Sequence, residues 1–459
     1  MSDNERQRNG GPDDEDRRQP TAHKTAPAKA VNRIALSRAI TFSGGNAAFI
    51  ALLAALYSET HSAGLVALGA LASFAVPALA SPVAGWVGDR FDRRRVMVVS
   101  ELLGAACFLL MAGFTTAPVM LLILRVAASL VAAPLMSATA AAIPGIVGPG
   151  DKLPAANAKL ASASISGGLI GPMIAAGLLA VSGPGAVFVF NTATFLISTA
   201  VLLSVKADFR PTRDQNDDGS RMADLVAGFR YLGRHRILRP VTVAYAILFI
   251  GIGLTAPAEV ALSADFEVGD TGYAMLTCLF AIGGIGGTGL ASRGLLRAST
   301  QRQTTILAAA SAALAVGFFI VGGAPIFAVA LAGMVVAGAA DGVWLVAHEN
   351  LVQRATPDAI RSRVFAGSEA VYLGGISLGL IAAGALISLI GAAGTFEVGA
   401  AGSLIACLVL LSTSISSARS AEVDQGGRRT AAAADAPPFM AAAPRPEPLM
   451  GQPVDQRGA

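Results

Sequence analysis

The stretch "GWVGDRFDRRRV", Gly85 to Val96, crowds six charged residues into one short turn between two long runs that carry almost none. Outward from it, the chain of 459 residues is 54% hydrophobic and only 14% charged, with 51 glycines and a mean hydropathy of +0.61. A soluble domain carries about a quarter of its residues charged. The composition is that of a polytopic membrane protein, and the charged turn is a connection between two spans.

A bilayer core needs roughly 20 apolar residues per helix. Runs of that length lie at Ile34 to Tyr57, Leu65 to Val87, Val96 to Ala117, Val119 to Ile143, Ser162 to Val181 and Val187 to Val205. Six more follow at Val241 to Leu262, Gly272 to Ala291, Thr304 to Gly322, Ile326 to Val346, Val364 to Leu389 and Ala393 to Ile415. The expected fold is all-α, with twelve transmembrane helices in two pseudo-symmetric six-helix bundles.

Charge sets the orientation, because Lys and Arg collect in cytoplasmic loops. Arg90, Arg93, Arg94, Arg95, Lys152, Lys159, the segment Lys206 to Arg239, Arg293, Arg297, Arg302, Arg354, Arg361 and Arg363 all fall on alternate connections. The intervening ones, "SETHSA", "FTTAPV", "SGPGA", "SADFEVGDTG", "GGAP" and "GAAGTFE", hold neither. Both termini are expected in the cytoplasm. The sequence pI of 9.1 is a topology signal rather than a nucleic-acid footprint. Ala- and Gly-rich usage suits a bacterial cytoplasmic membrane.

The expected divisions are a polar N-terminal tail (1–33), a first bundle (34–205), a central cytoplasmic loop (206–240), a second bundle (241–415) and a polar C-terminal tail (416–459). Both tails read as disordered, since they lack the apolar content to offset chain entropy. Ala155 to Ala161 reads as a loop. In the central connection Met222, Leu225, Val226, Phe229 and Leu232 recur at helical spacing beside Arg221, Arg230 and Arg234, which predicts an amphipathic helix on the membrane surface.

Cys107, Cys278 and Cys407 lie inside separate spans without metal-ligand spacing. No phosphate-binding glycine loop is present, and the scattered histidines form no catalytic cluster. The expectation is a monomeric, non-enzymatic protein with no metal and no cofactor other than a proton gradient, its partners being the bilayer, protons and a small-molecule substrate.

Gly85, Asp89, Arg90, Arg93 and Arg94 fall at the spacing G-x-x-x-D-R-x-x-R-R between the second and third spans. This resembles the loop signature of the major facilitator superfamily, with Asp92 where the pattern has Gly. The form "DRFDRRR" is similar to that of the drug:proton antiporter branch, which includes macrolide-efflux and siderophore-export carriers. The resemblance implies a cytoplasmic latch made by Asp89, Arg90 and Arg93. The second-half counterpart "GGTGLASRGLLRAST" keeps Arg293 but has Ser292 in place of the acid.

In the fifth span, "SGGLIGPMIAAG" places Gly167, Gly171 and Pro172 in a G-x-x-x-G-P pattern similar to the family's antiporter motif, with Ala175 and Ala176 replacing its closing glycines. Arg125, in "LLILRVAASL", stands where the family often carries an intramembrane Arg linked to proton transfer. Gln353, Pro357 and Arg363 are similar to the loop after the tenth span of the same branch.

Charges inside spans are costly and face a cavity or a partner. Arg125, Asp341 and Glu259 are the expected groups for proton coupling or charge compensation. Glu101 and Glu369 lie one to two turns from cytoplasmic ends. Ser43, Asn46, Ser129, Asn191 and Thr255 are the expected polar points of a mostly apolar substrate cavity. The implied function is secondary active transport by alternating access, exporting a small hydrophobic or amphipathic compound by proton antiport. Import or facilitation by the same fold is the alternative.

Overall fold

A computed structural model describes residues 27–148, 152–205, 221–294, 299–357 and 360–434. Eleven helices follow one another: α1 (Pro27–Thr60), α2 (Ala63–Arg90), α3 (Arg93–Gly113), α4 (Pro118–Val147), α5 (Lys152–Leu203), α6 (Arg221–Arg234), α7 (Leu238–Asp265), α8 (Gly269–Gly294), α9 (Thr300–Gly322), α10 (Phe327–Ala355) and α11 (Arg361–Ala434). The described residues contain no strand. All-helical construction is what hydrocarbon demands, because each backbone N–H and C=O must be satisfied within its own segment.

Ten of these helices are long and apolar enough to cross a membrane. Two of the ten are broken by a glycine, at Gly183 (φ 73°, ψ −173°) in α5 and Gly391 (φ 75°, ψ 176°) in α11. That backbone region is essentially closed to residues with a Cβ. Each break turns one continuous helix into two spans, so the ten supply the expected twelve.

Three boundaries differ from the sequence reading. Helix α1 begins at Pro27, ahead of the apolar run, and seats Ala30 and Val31 in the interior. Ala155 to Ala161 is not a loop but an early part of α5, with Ala156 and Leu160 buried one turn apart. The backbone of α11 stays helical to Ala434. The segments are rich in Ala, whose helix propensity is the highest of all residues; an apolar-run criterion does not register it.

Residues Met1–Leu411 form one compact unit and Ser412–Ala459 a second. Within the first, glycines set the closest helix contacts. A Cβ on Gly167 would meet Ala39 O, Phe42 Cβ and Ser43 N at 2.5, 2.9 and 3.0 Å. One on Gly375 would meet Ala246 O, Phe249 Cβ and Ile250 N at 3.1, 3.1 and 3.4 Å. Four residues further on, Gly171 sits against Ser43 O and Ala47 N, and Gly379 against Ile250 O and Gly253. The α1–α5 seam of the first half therefore recurs, in the same order and spacing, as the α7–α11 seam of the second. Small residues at such seams allow backbones to approach, which is what joins helices in lipid.

The two halves also touch each other at the arginine-free end. There Gly384 of α11 faces Gly64 of α2, and a Cβ on Gly384 would stand 2.9 Å from the Gly64 Cα. At the opposite end α6 is the expected amphipathic helix. Leu232 is buried, Val226 and Phe229 are exposed, and the Tyr231 hydroxyl donates to Ala355 O at 2.8 Å.

Candidate functional site

The charged turn is built by two helix ends. Helix α2 stops at Arg90 and α3 starts at Arg93, with Asp92 as its N-cap, accepting a hydrogen bond from Arg95 N at 2.9 Å. Asp is among the best N-cap residues, which accounts for the acid at a position where the resembled pattern has Gly. Arg94 donates to Leu203 O and Arg33 to Ser204 O, the latter at 2.6 Å. Both guanidiniums thus close the carbonyl end of the second segment of α5, where cations are favoured by the helix dipole. Arg93 is 8% exposed and reaches toward Gly145 of α4. Arg90 is exposed. The side chains of Gly85 and Asp89 lie outside the described residues, so the expected latch acid does too.

The G-x-x-x-G-P element is the α5 face of the seam with α1, and Pro172 is buried within it. Its glycines have mates in Gly375 and Gly379, whereas Leu380 stands at the place corresponding to Pro172. The two glycines are therefore packing elements of both halves. Pro172 alone is particular to the first.

Arg125, Glu259 and Asp341 are not brought together, and none forms an ion pair among the described residues. Among the described residues the Nε of Arg125 and, one turn along α4, the Ser129 hydroxyl have no hydrogen-bond partner. Glu259 accepts from Thr277 Oγ1 at 2.9 Å and lies within electrostatic reach of Tyr273. Asp341 lies within electrostatic reach of Tyr245 and Tyr372, as Glu369 does more strongly. Those phenols belong to an aromatic cluster in which Tyr245 stacks on His348 (4.1 Å) and Trp344 (5.0 Å) and Phe249 packs edge-on against Tyr372 (4.6 Å).

The polar positions expected to line a cavity mostly turn onto their own helices. Ser43 donates to Ile40 O, Asn46 to Phe42 O and Thr255 to Ile252 O, at 2.8, 2.9 and 3.0 Å. Asn191 is fully buried against Gly44, its Oδ1 accepting from Thr194 and its Nδ2 without a partner among the described residues.

One constellation was not anticipated. Glu101 of α3, 2% exposed, accepts from Ser198 Oγ at 2.6 Å and from Thr41 Oγ1 at 3.1 Å, while Ser37 and Ser198 share a hydrogen bond of 2.7 Å. A cavity of about 30 Å³ adjoins it, lined also by Arg38, Met136 and Thr139. The sequence shows Glu101 near a helix end, but its hydroxyl partners come from two other helices and no local pattern marks them.

Two packed halves related by a repeated seam, with ten helices long and apolar enough to cross a membrane and with charges inside them that have no ion-pair partner among the described residues, are the architecture of a multi-pass membrane protein of the transporter type. The chain belongs to the major facilitator superfamily, whose family model matches residues 34–346. Among solved structures it is similar to the nucleoside transporter NupG (TM-score 0.63, 14% identity, 84% of this chain and 98% of that one covered). It is also similar to a D-xylose-proton symporter (TM-score 0.63, 14% identity, 83% and 97%) and to a bacterial homologue of the iron transporter ferroportin in an inward-facing state (TM-score 0.60, 18% identity, 84% and 99%). Comparison with curated proteins finds no match.

Proposed function

We propose that the protein exports a small hydrophobic or amphipathic compound across a bacterial cytoplasmic membrane by proton antiport, with both termini in the cytoplasm. The observation that carries this reading is the set of ionisable groups, Arg125, Glu259 and Asp341, held inside apolar helices without an ion-pair partner among the described residues. A charge at the centre of a span costs about 2.5–3.5 kcal/mol by insertion scales, and packing alone gives no reason to keep these groups. An apolar interior in which Ser43, Asn46 and Thr255 bond to their own helices supports a substrate recognised chiefly by surface burial. Export itself rests on the resemblance of the charged turn and of Pro172 to the antiporter branch.

With the arginine-free end outside, the Gly64–Gly384 contact holds α2 of one half against α11 of the other on the exterior side, and alternating access requires it to open. The Arg33 and Arg94 contacts to Ser204 and Leu203 fix the ends of helices that must then move as one body.

The test is uptake of a fluorescent hydrophobic cation and of a neutral macrolide-like probe into inverted membrane vesicles, with and without an imposed pH gradient. Gradient-driven accumulation of either probe supports the reading. Accumulation of neither, from protein verified as folded, removes broad proton-driven export; faster loss of preloaded probe would favour import.

A further inference from the structure

The repeated seam makes it possible to ask what one half carries that the other does not. With Ala39, Phe42 and Ser43 matched to Ala246, Phe249 and Ile250, the places corresponding to Ser37 and Thr41 are taken by Ala244 and Leu248. With Gly167 and Gly171 matched to Gly375 and Gly379, the place of Ser198 is taken by Ala406. All three replacements are buried and apolar. A half of this shape packs well without hydroxyls at these positions, so the group around Glu101 is not a requirement of the scaffold.

Its chemistry is specific. Among the described residues every hydrogen-bond partner of Glu101 is a hydroxyl, and hydroxyls both donate and accept. A carboxylate caged by guanidinium or backbone N–H groups is held in one charge state, because those partners can only donate. Hydroxyls turn with the proton: Thr41 and Ser198 donate to the ionised carboxylate, and Thr41 can accept from the protonated one. Both states are satisfied without moving a helix. Ser37 extends the chain of hydroxyls to α1, and the adjoining cavity has room for about one or two water molecules.

The charged groups around the site are few. From α1, Arg38 lines the cavity, its Nε donating to Ser164 Oγ at 2.5 Å and its guanidinium lying over the Phe42 ring at 4.9 Å. From α4 the lining is Leu135, Met136 and Thr139 and from the second segment of α5 Leu202, while Ser198 of that segment bonds to Glu101; all are uncharged. On α3 itself Arg93 and Arg94 lie about 12 Å toward the charged turn. Among the described residues Glu101 makes no ion pair.

We propose that Glu101 is the group at which the coupled proton binds, with Ser37, Thr41 and Ser198 as the hydroxyl cage that accommodates both of its states. One proton from water binds one carboxylate oxygen and neutralises it, and returns to water in the cavity on release. The proposal rests on the reading of proton-coupled export, and its test separates the two.

Wild type, Glu101→Gln and the double variant Thr41→Val/Ser198→Ala are compared in inverted vesicles with the fluorescent cation, after each is verified as folded by size-exclusion chromatography. The expected result is that Glu101→Gln still exchanges preloaded probe but loses at least about tenfold of its gradient-driven accumulation, while the double variant shifts the pH midpoint of transport. Undiminished gradient response in Glu101→Gln overturns the proposal, as does a folded Glu101→Gln that performs no exchange, since the group is then structural. A sodium gradient that drives wild type where a pH gradient does not also overturns it. Should the wild type accumulate no probe, export by this route fails on its own, and infrared difference spectra of the purified proteins decide Glu101. A carboxyl band that titrates in wild type and is missing in Glu101→Gln supports proton binding there; identical spectra exclude it.

Discussion

Gly379 lies so close to the carbonyl oxygen of Ile250 that an added Cβ would stand 2.2 Å from it. The neighbouring atoms are backbone and have no rotamer by which to yield. Gly171 stands in the same relation to Ser43 O, at 2.8 Å. Replacement by Leu at either position is expected to destabilise by about 1–3 kcal/mol or more, as overpacking does. Fluorescence-detected size-exclusion chromatography under heating should show both variants melting early. A Gly379→Leu protein as stable as wild type would refute the repeated seam.

The corners at Gly183 and Gly391 make a sharper demand on the backbone itself. Neither has anything within 4 Å of an added Cβ, so Gly→Ala there probes conformation alone. Strain of about 1–3 kcal/mol is expected from the positive φ. Gly177 has equally open surroundings without the positive φ, and Gly177→Ala should leave thermal stability unchanged or raised.

The Gly64–Gly384 approach predicts a cross-link. In a background with Cys107, Cys278 and Cys407 replaced by Ser, Gly64→Cys with Gly384→Cys should form a disulfide on mild oxidation, since the facing backbones fall within the reach of an S–S bridge. Transport should stop and return on reduction. Full transport by the cross-linked protein would mean that this contact does not open during the cycle.

His235 joins α6 to α7, its Nδ1 accepting from the amides of Ile237 and Leu238 at 3.3 and 3.2 Å. Partial burial lowers its pKa from the ordinary imidazole value. The neutral form is therefore favoured by the fold: the stabilisation is present above the unfolded-state pKa and is lost as pH falls from there toward the folded-state value. Amide exchange at Ile237 and Leu238, corrected for intrinsic pH dependence, should quicken below about pH 6. No change in protection would show that the ring does not cap α7.

What the sequence discloses here is what repeats locally. Apolar runs place twelve spans, and the spacing of Val226, Phe229 and Leu232 places α6, because length and period are properties of one segment. Gly167 and Gly171 are visible as a motif, but Gly375 and Gly379 are hidden in "YLGGISLGL" among 51 glycines. Their meaning depends on Ala246, Phe249 and Ile250, more than a hundred residues away. Glu101 is the same case in polar form: an acid near a helix end until Thr41 and Ser198 arrive from elsewhere in the chain. Asp92, read as a departure from a family pattern, becomes intelligible once it caps α3.

The glycine corners also decide what the molecule shows to its surroundings. At the arginine-free end the helices are joined by residues 61–62, 114–117, 266–268 and 323–326 and by the bends at 183 and 391, so no connection exceeds four residues. A surface made of such short turns offers a protease no extended strand to cleave and an antibody little to grasp. With that end outside, as proposed, binding reagents raised against intact cells should be scarce, and inserted tags or reporters will be tolerated far better in the connections at the opposite face.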